Sequence, residues 1–180
     1  MLDEIKAVQA SADLVFSQSA VSAAIDAMAQ NINSQLAEAN PLVLCVLNGG
    51  IIASGHLLPR LTMPLTLDSI NASRYRNQTV GGDINWLVKP TTPLQGRTIL
   101  VIDDILDEGL TLLAIKQYCL EQGAAAVYCA VLMDKMLGHD KPITADFVGL
   151  NVPNRYLFGY GMDYKGYLRN AAGIFACKDV

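Results

Sequence analysis

The chain has 180 residues, of which 52% are apolar and 17% charged, with a net charge of −4. That length and apolar content suit one domain with a core of ordinary size and exclude wholesale disorder. The acidic balance, with a sequence pI of about 5.0, argues against general nucleic-acid binding, which needs a basic face.

Residues 1–39 read as helical, with apolar positions Ile25, Met28, Ala29, Ile32 and Leu36 recurring at three and four. The start, Met1-Leu2-Asp3-Glu4, brings acids early and no apolar h-region follows, unlike a secretory signal, so a cytoplasmic location is expected. Pro41 closes the region. Leu42 to Leu47 is a continuous apolar run, suited to a central strand buried on both faces. Asn48-Gly49-Gly50 breaks it, and Ile51 to Leu58 reads as a helix. Strands are expected at Leu65–Ile70 and Ile84–Val88, on either side of a polar stretch, 71–82, that reads as a mobile loop. Thr98–Ile102 and Ala125–Met133 are further buried strands, separated by a helix from Leu110 to Glu121 that stops at Gly123. The longest apolar run, Ala124 to Met133, has ten residues; a membrane helix needs ~18, so no membrane partner is expected.

This alternation predicts right-handed βαβ units and an α/β fold with a mostly parallel sheet. From Gly138 on, short strands with Gly, Pro and aromatics predict a smaller lobe rather than a separate domain. Cys45, Cys119, Cys129 and Cys177 stand apart among apolar neighbours and match no metal spacing, so buried free thiols are expected. His56 and His139 are isolated and are assigned ordinary structural or surface roles.

Ligands of open α/β sheets bind beyond the carboxyl ends of the strands. The densest chemistry there is Val101-Ile102-Asp103-Asp104-Ile105-Leu106-Asp107-Glu108-Gly109-Leu110-Thr111. Four of the chain's 17 acids fall within six residues of it. Capping a helix needs only one or two. Residues 107–111, at a helix start with Gly109 allowing close backbone approach, suit a phosphate. Asp103 and Asp104 are placed to accept from the vicinal hydroxyls of a sugar. Glu108 puts a negative charge inside the phosphate loop, so its side chain is expected to point outward. A nucleotide P-loop is excluded, because no GxxxxGK[ST] occurs.

Residues 99–111 closely resemble the phosphoribosyl-diphosphate signature of the purine phosphoribosyltransferases: an apolar run, two acids, two apolar residues, then Asp-x-Gly-x-Thr. Over most of its length the chain resembles the hypoxanthine-guanine branch in order and approximate spacing. That resemblance implies a type I phosphoribosyltransferase fold spanning 1–180. Its core is about 40–137, its hood comes from about 1–39 and 138–180, and its flap is about 71–82. It implies transfer of the 5-phosphoribosyl group from phosphoribosyl diphosphate to hypoxanthine or guanine, with Mg2+ as cofactor, in a homodimer or homotetramer. Xanthine preference is the nearest alternative. A regulator that senses phosphoribosyl diphosphate is another, but it would need a basic cluster that this chain lacks.

By the same resemblance, Asp103 and Asp104 bind ribose near magnesium, and Asp107, Glu108, Gly109, Leu110 and Thr111 hold the 5′-phosphate. Asp107 also handles the proton at purine N7 as the catalytic residue. Leu47, Asn48 and Gly49 resemble the diphosphate loop, where many relatives carry Lys at the position of Asn48. Lys135 matches the donor to the 6-oxo oxygen. Tyr156 matches the ring that stacks on the purine, Leu157 a backbone contact to its edge, and Asp163 the acid near the purine and a second magnesium. Arg169 matches the cation at the diphosphate. Arg74 and Tyr75 fall in the flap.

Overall fold

The computed structural model describes residues 1–74 and 84–178. The main sheet has six strands: β2 (Leu42–Val46), β3 (Thr66–Arg74), β4 (Ile84–Val88), β5 (Thr98–Leu106), β6 (Ala126–Met136) and β7 (Phe147–Pro153). Their order is β4-β3-β2-β5-β6-β7. All neighbours run parallel except β3 and β4, which are antiparallel. The mostly parallel α/β architecture expected from the alternation is present.

Helices cover both faces, so the central strands have no polar side. On one face, Val43, Leu100, Ile102 and Leu132 pack against α2 (Gln18–Leu36) and α3 (Gly50–Leu57). The five apolar positions anticipated on α2 are all buried, and Ser17 caps that helix by accepting from the Ala20 N–H. On the other face, Leu44, Val46, Val101 and Val131 meet Leu112, Ile115 and Cys119 of α4 (Leu110–Glu121). All four cysteines are buried free thiols. Burial raises those of Cys119 and Cys129, to about 11 and about 12. No helix among the described residues is long and apolar enough to cross a membrane.

Two expectations need correction. Residues 1–39 are not wholly helical: between α1 (Leu2–Ser11) and α2 lies strand β1 (Asp13–Ser17). Its Leu-Val-Phe centre pairs antiparallel with β9 (Gly173–Ala176), which also pairs with β8 (Leu157–Phe158) in a small second sheet. α2 packs on the main sheet and β7 completes it beside β6. Finally, Asn71–Arg74 are not loop but the end of β3, laddered to β4. The remainder of the expected flap, including Tyr75, lies outside the described residues.

Candidate active site

β2, β5 and β6 run in the same direction, and a cleft of about 580 Å³ opens beyond their carboxyl ends. Every other site residue named from the sequence lines it; Arg74 is the last residue of β3, and Tyr75 lies outside the described residues. The cleft also takes Val46, Ala72, Ile105, Leu106, Leu112 and Met162, small or apolar residues that carry no chemical signal in the sequence.

Asp103 and Asp104 are the sixth and seventh residues of β5. Adjacent strand residues point to opposite faces, yet local bonds draw these two carboxylates into one polar unit. Asp103 accepts from the Asp104 N–H at 2.9 Å, and Asp104 accepts from the Ile105 N–H at 2.8 Å. Burial, then the charge of Asp104, pushes the Asp103 carboxyl well above the ordinary carboxylate range. Burial also raises Asp104, and the Arg169 cation pulls both down. Two carboxylates this poorly hydrated invite a ligand that supplies hydroxyl donors or a cation.

The acids do not cap α4. Its N-cap is Gly109, in the left-handed conformation at φ 81° with no side-chain cap bond. The first-turn N–H groups of α4 therefore face the cleft free of a side-chain acceptor, as anion binding requires. Glu108 turns its carboxylate to His139, 3.3 Å away, in the loop after β6. That is the outward orientation the phosphate loop demands, and it gives His139 a partner.

Asp107 and Lys135 come from neighbouring strand ends and meet at 3.1 Å. The Lys135 side chain is 14% exposed against 51% for Asp107, so the ammonium is held at the cleft wall while the carboxylate remains accessible.

The Leu47–Asn48 peptide is cis. Next to it, Gly49 lies so close to the Asp104 carboxylate that a Cβ there would sit 2.5 Å from Asp104 Cγ. Gly161, at φ 109°, fits against the Gly49 carbonyl and Asp104 Cβ. The two glycines let three segments share one small volume. Here the Gly159–Gly161 pair serves a tight turn and close packing: Gly159 and Met162 exchange backbone bonds at 3.0 and 3.2 Å.

Arg169 is fixed by the Gly161 carbonyl at 2.5 Å and by Asp163 at 2.7 Å. Asp163 also accepts from the Gly166 N–H at 2.7 Å. Tyr156 is 39% exposed and edge-on to Tyr164 at 5.5 Å, and it lines the cleft together with Lys135. Leu157 buries its side chain in the core through β8.

Residues 11–165 match the sequence model of the phosphoribosyl transferase domain. Among curated relatives, a hypoxanthine-guanine phosphoribosyltransferase of Streptococcus thermophilus is 31% identical over 92% of this chain and 93% of its own. One of Bacillus subtilis is 31% identical over 92% of each. Among solved structures, a hypoxanthine-guanine phosphoribosyltransferase of Bacillus anthracis superposes with a TM-score of 0.87 at 28% identity, covering 92% of this chain and 98% of that one. A hypoxanthine-guanine-xanthine phosphoribosyltransferase gives 0.84 at 27%, covering 93% and 97%. The signature at 99–111, the strand-end cleft and these likenesses agree: the chain belongs to the phosphoribosyltransferase family, in its hypoxanthine-guanine branch.

Proposed function

We propose that this chain is a purine salvage enzyme. It transfers the 5-phosphoribosyl group from phosphoribosyl diphosphate to hypoxanthine or guanine, giving IMP or GMP and diphosphate. The observation that carries the reading is the meeting, in one cleft, of a carboxylate pair, a helix N-terminus and the Asp107–Lys135 pair.

Each group has a task set by its chemistry. The N–H groups of residues 109–111 bind the 5′-phosphate. Asp103 and Asp104 accept from the 2′ and 3′ hydroxyls of ribose and set negative charge near C1 as the C1–O bond breaks and the sugar becomes oxocarbenium-like. The leaving diphosphate lies between the Leu47–Gly49 backbone and Arg169, whose guanidinium balances the charge it gathers. Asp107 takes the proton from purine N7 as the ring nitrogen attacks. The Lys135 ammonium has donors left beside its bond to Asp107 and no acceptor, so it accepts a 6-oxo base and rejects a 6-amino one. Tyr156 stacks on the ring.

The donor set fits magnesium. Mg2+ prefers one or two carboxylates plus substrate phosphate oxygens and water over a protein cage. Asp103, Asp104 and Asp163 offer such oxygens, and the described residues hold no cluster of three or more ligands. Bound there with the substrate, the ion supplies charge stabilisation to the departing diphosphate. The reading includes a cytoplasmic homodimer or homotetramer.

The test mixes the protein with phosphoribosyl diphosphate, magnesium and each purine in turn, followed by ultraviolet absorbance. Turnover of hypoxanthine or guanine, with adenine poor, is expected. No turnover of either 6-oxopurine overturns the reading, and efficient turnover of adenine removes the role of Lys135.

A further inference from the structure

The loop after β6 carries a lysine that none of these steps uses. The Lys141 side chain is only 10% exposed. Its Nζ donates to the Leu106 carbonyl at 2.7 Å and to Asp134 Oδ1 at 2.5 Å. Leu106 and Asp134 face one another in the last registered pair of the β5–β6 ladder. Each immediately precedes a residue of the site: Leu106 precedes Asp107, and Asp134 precedes Lys135. Those two side chains then pair at 3.1 Å. One ammonium, reaching in from outside the ladder, thus ties together the two strand ends from which the base-handling groups project.

A parallel ladder ordinarily frays at its last pair, since nothing beyond it continues the hydrogen bonding. Here β6 stays laddered to β7 as far as Met136 opposite Pro153, but the chain leaves β5 at Leu106 into the phosphate loop, so the β5 end would be free to splay from β6. Lys141 closes that end with a charged bond to a carboxylate and another to a main-chain carbonyl, both stronger than neutral bonds. The contact is made in a partly desolvated setting, beside a second cavity of about 340 Å³ under the same loop.

Resting on the phosphoribosyl-transfer reading, we propose that Lys141 is a positioning residue for the purine: it sets the separation of Asp107 and Lys135 through the backbone of Leu106 and the side chain of Asp134. It touches neither substrate. Its effect falls on the purine half of the site, because the 5′-phosphate is held by the start of α4, whose own hydrogen bonds keep it in place without Lys141.

Two variants separate positioning from bulk stability. Lys141→Met removes the clamp and leaves Asp134 unpaired. Lys141→Met combined with Asp134→Leu removes the clamp and the stranded charge together, and apolar replacement of such a pair is commonly neutral or stabilising. In both, kcat/KM for hypoxanthine is expected to fall about tenfold, since sub-ångström misplacement of reacting groups is costly. KM for phosphoribosyl diphosphate is expected to stay within about twofold. The single variant melts below wild type and the double recovers its melting temperature without recovering kcat/KM.

An activity-independent readout accompanies these. In protein labelled with carbon-13 at lysine Cε, the Lys135 resonance is expected to shift in both variants. Activity that returns with stability in the double variant overturns the proposal, as does an unshifted Lys135 resonance. Should the wild type fail to turn over a 6-oxopurine, the transfer reading falls, while the Lys135 resonance still decides whether Lys141 positions that side chain.

Discussion

Gly49→Ala sets two physical effects of opposite sign against each other. Gly49 has helical backbone angles, φ −58° and ψ −47°, which alanine adopts without strain. By chain entropy alone, the substitution stabilises by about 0.4–1 kcal/mol. The new Cβ, however, falls within the Asp104 carboxylate, 2.5 Å from Cγ and 2.7 Å from Oδ1. That carboxylate has little room to yield. It is bonded to the Ile105 N–H at 2.8 Å, and its Cβ is already packed against Gly161.

Overpacking of this kind costs about 1–3 kcal/mol. The net is a destabilisation of about 1–2 kcal/mol, or a melting temperature lower by roughly 2–8 °C for a chain of this size. The kinetic effect is larger in proportion. On the proposed contact of Asp104 with ribose, displacing its carboxylate is expected to raise KM for phosphoribosyl diphosphate about tenfold or more. Gly55→Ala is the matched control. It lies inside α3, which Gly49 caps, with nothing within 4 Å of its Cβ, and should raise stability by about 0.5–1 kcal/mol. Thermal unfolding and steady-state titration of phosphoribosyl diphosphate read both effects. A Gly49→Ala protein that melts at or above wild type with unaltered KM would refute the steric argument.

Asp107→Asn should lower kcat about a hundredfold or more with little change in KM, as loss of a proton-transfer group does; equal changes in both would reduce Asp107 to a substrate anchor. Asp68 joins β3 to the turn before β5. Burial acts to raise its carboxyl, but the N–H groups of Thr92, Ser69 and Thr91 outweigh it and lower the group to about 2 from the ordinary 3.8. A depressed folded value means that the charged form stabilises the fold, fully so well above pH 3.8, with loss as the pH drops through about 2. Asp68→Asn should therefore be less stable than wild type at neutral pH by about 1 kcal/mol. In urea unfolding the gap should close between pH 5 and pH 2, and a constant gap would contradict the assignment.

What the sequence reveals follows how local each feature is. The β5–α4 signature is contiguous, so strand, acids, glycine and helix start are read in one pass, and the structure assembles them as one wall of the cleft. The apolar face of α2 is equally visible, because its spacing of three and four is internal to the helix. β1 is not: its five residues are too few for a period, and what makes them a strand is a partner some 160 residues away, Asp13 opposite Ala176. β7 was obscured by Gly149, Asn151 and Pro153, residues that an edge strand tolerates and a central strand does not. Tyr156, Asp163 and Arg169 were reached only through resemblance, since a tyrosine, an aspartate and an arginine in a glycine-rich tail carry no spacing rule of their own. Lys141 had no signal at all; its meaning depends on Leu106 and Asp134 coming into register, which is a property of the sheet. The chemistry of transfer is thus written locally at β5, whereas the geometry that aims it at a purine depends on pairings between distant segments, and substitutions at those pairings should alter the kinetics of the base before those of the sugar phosphate.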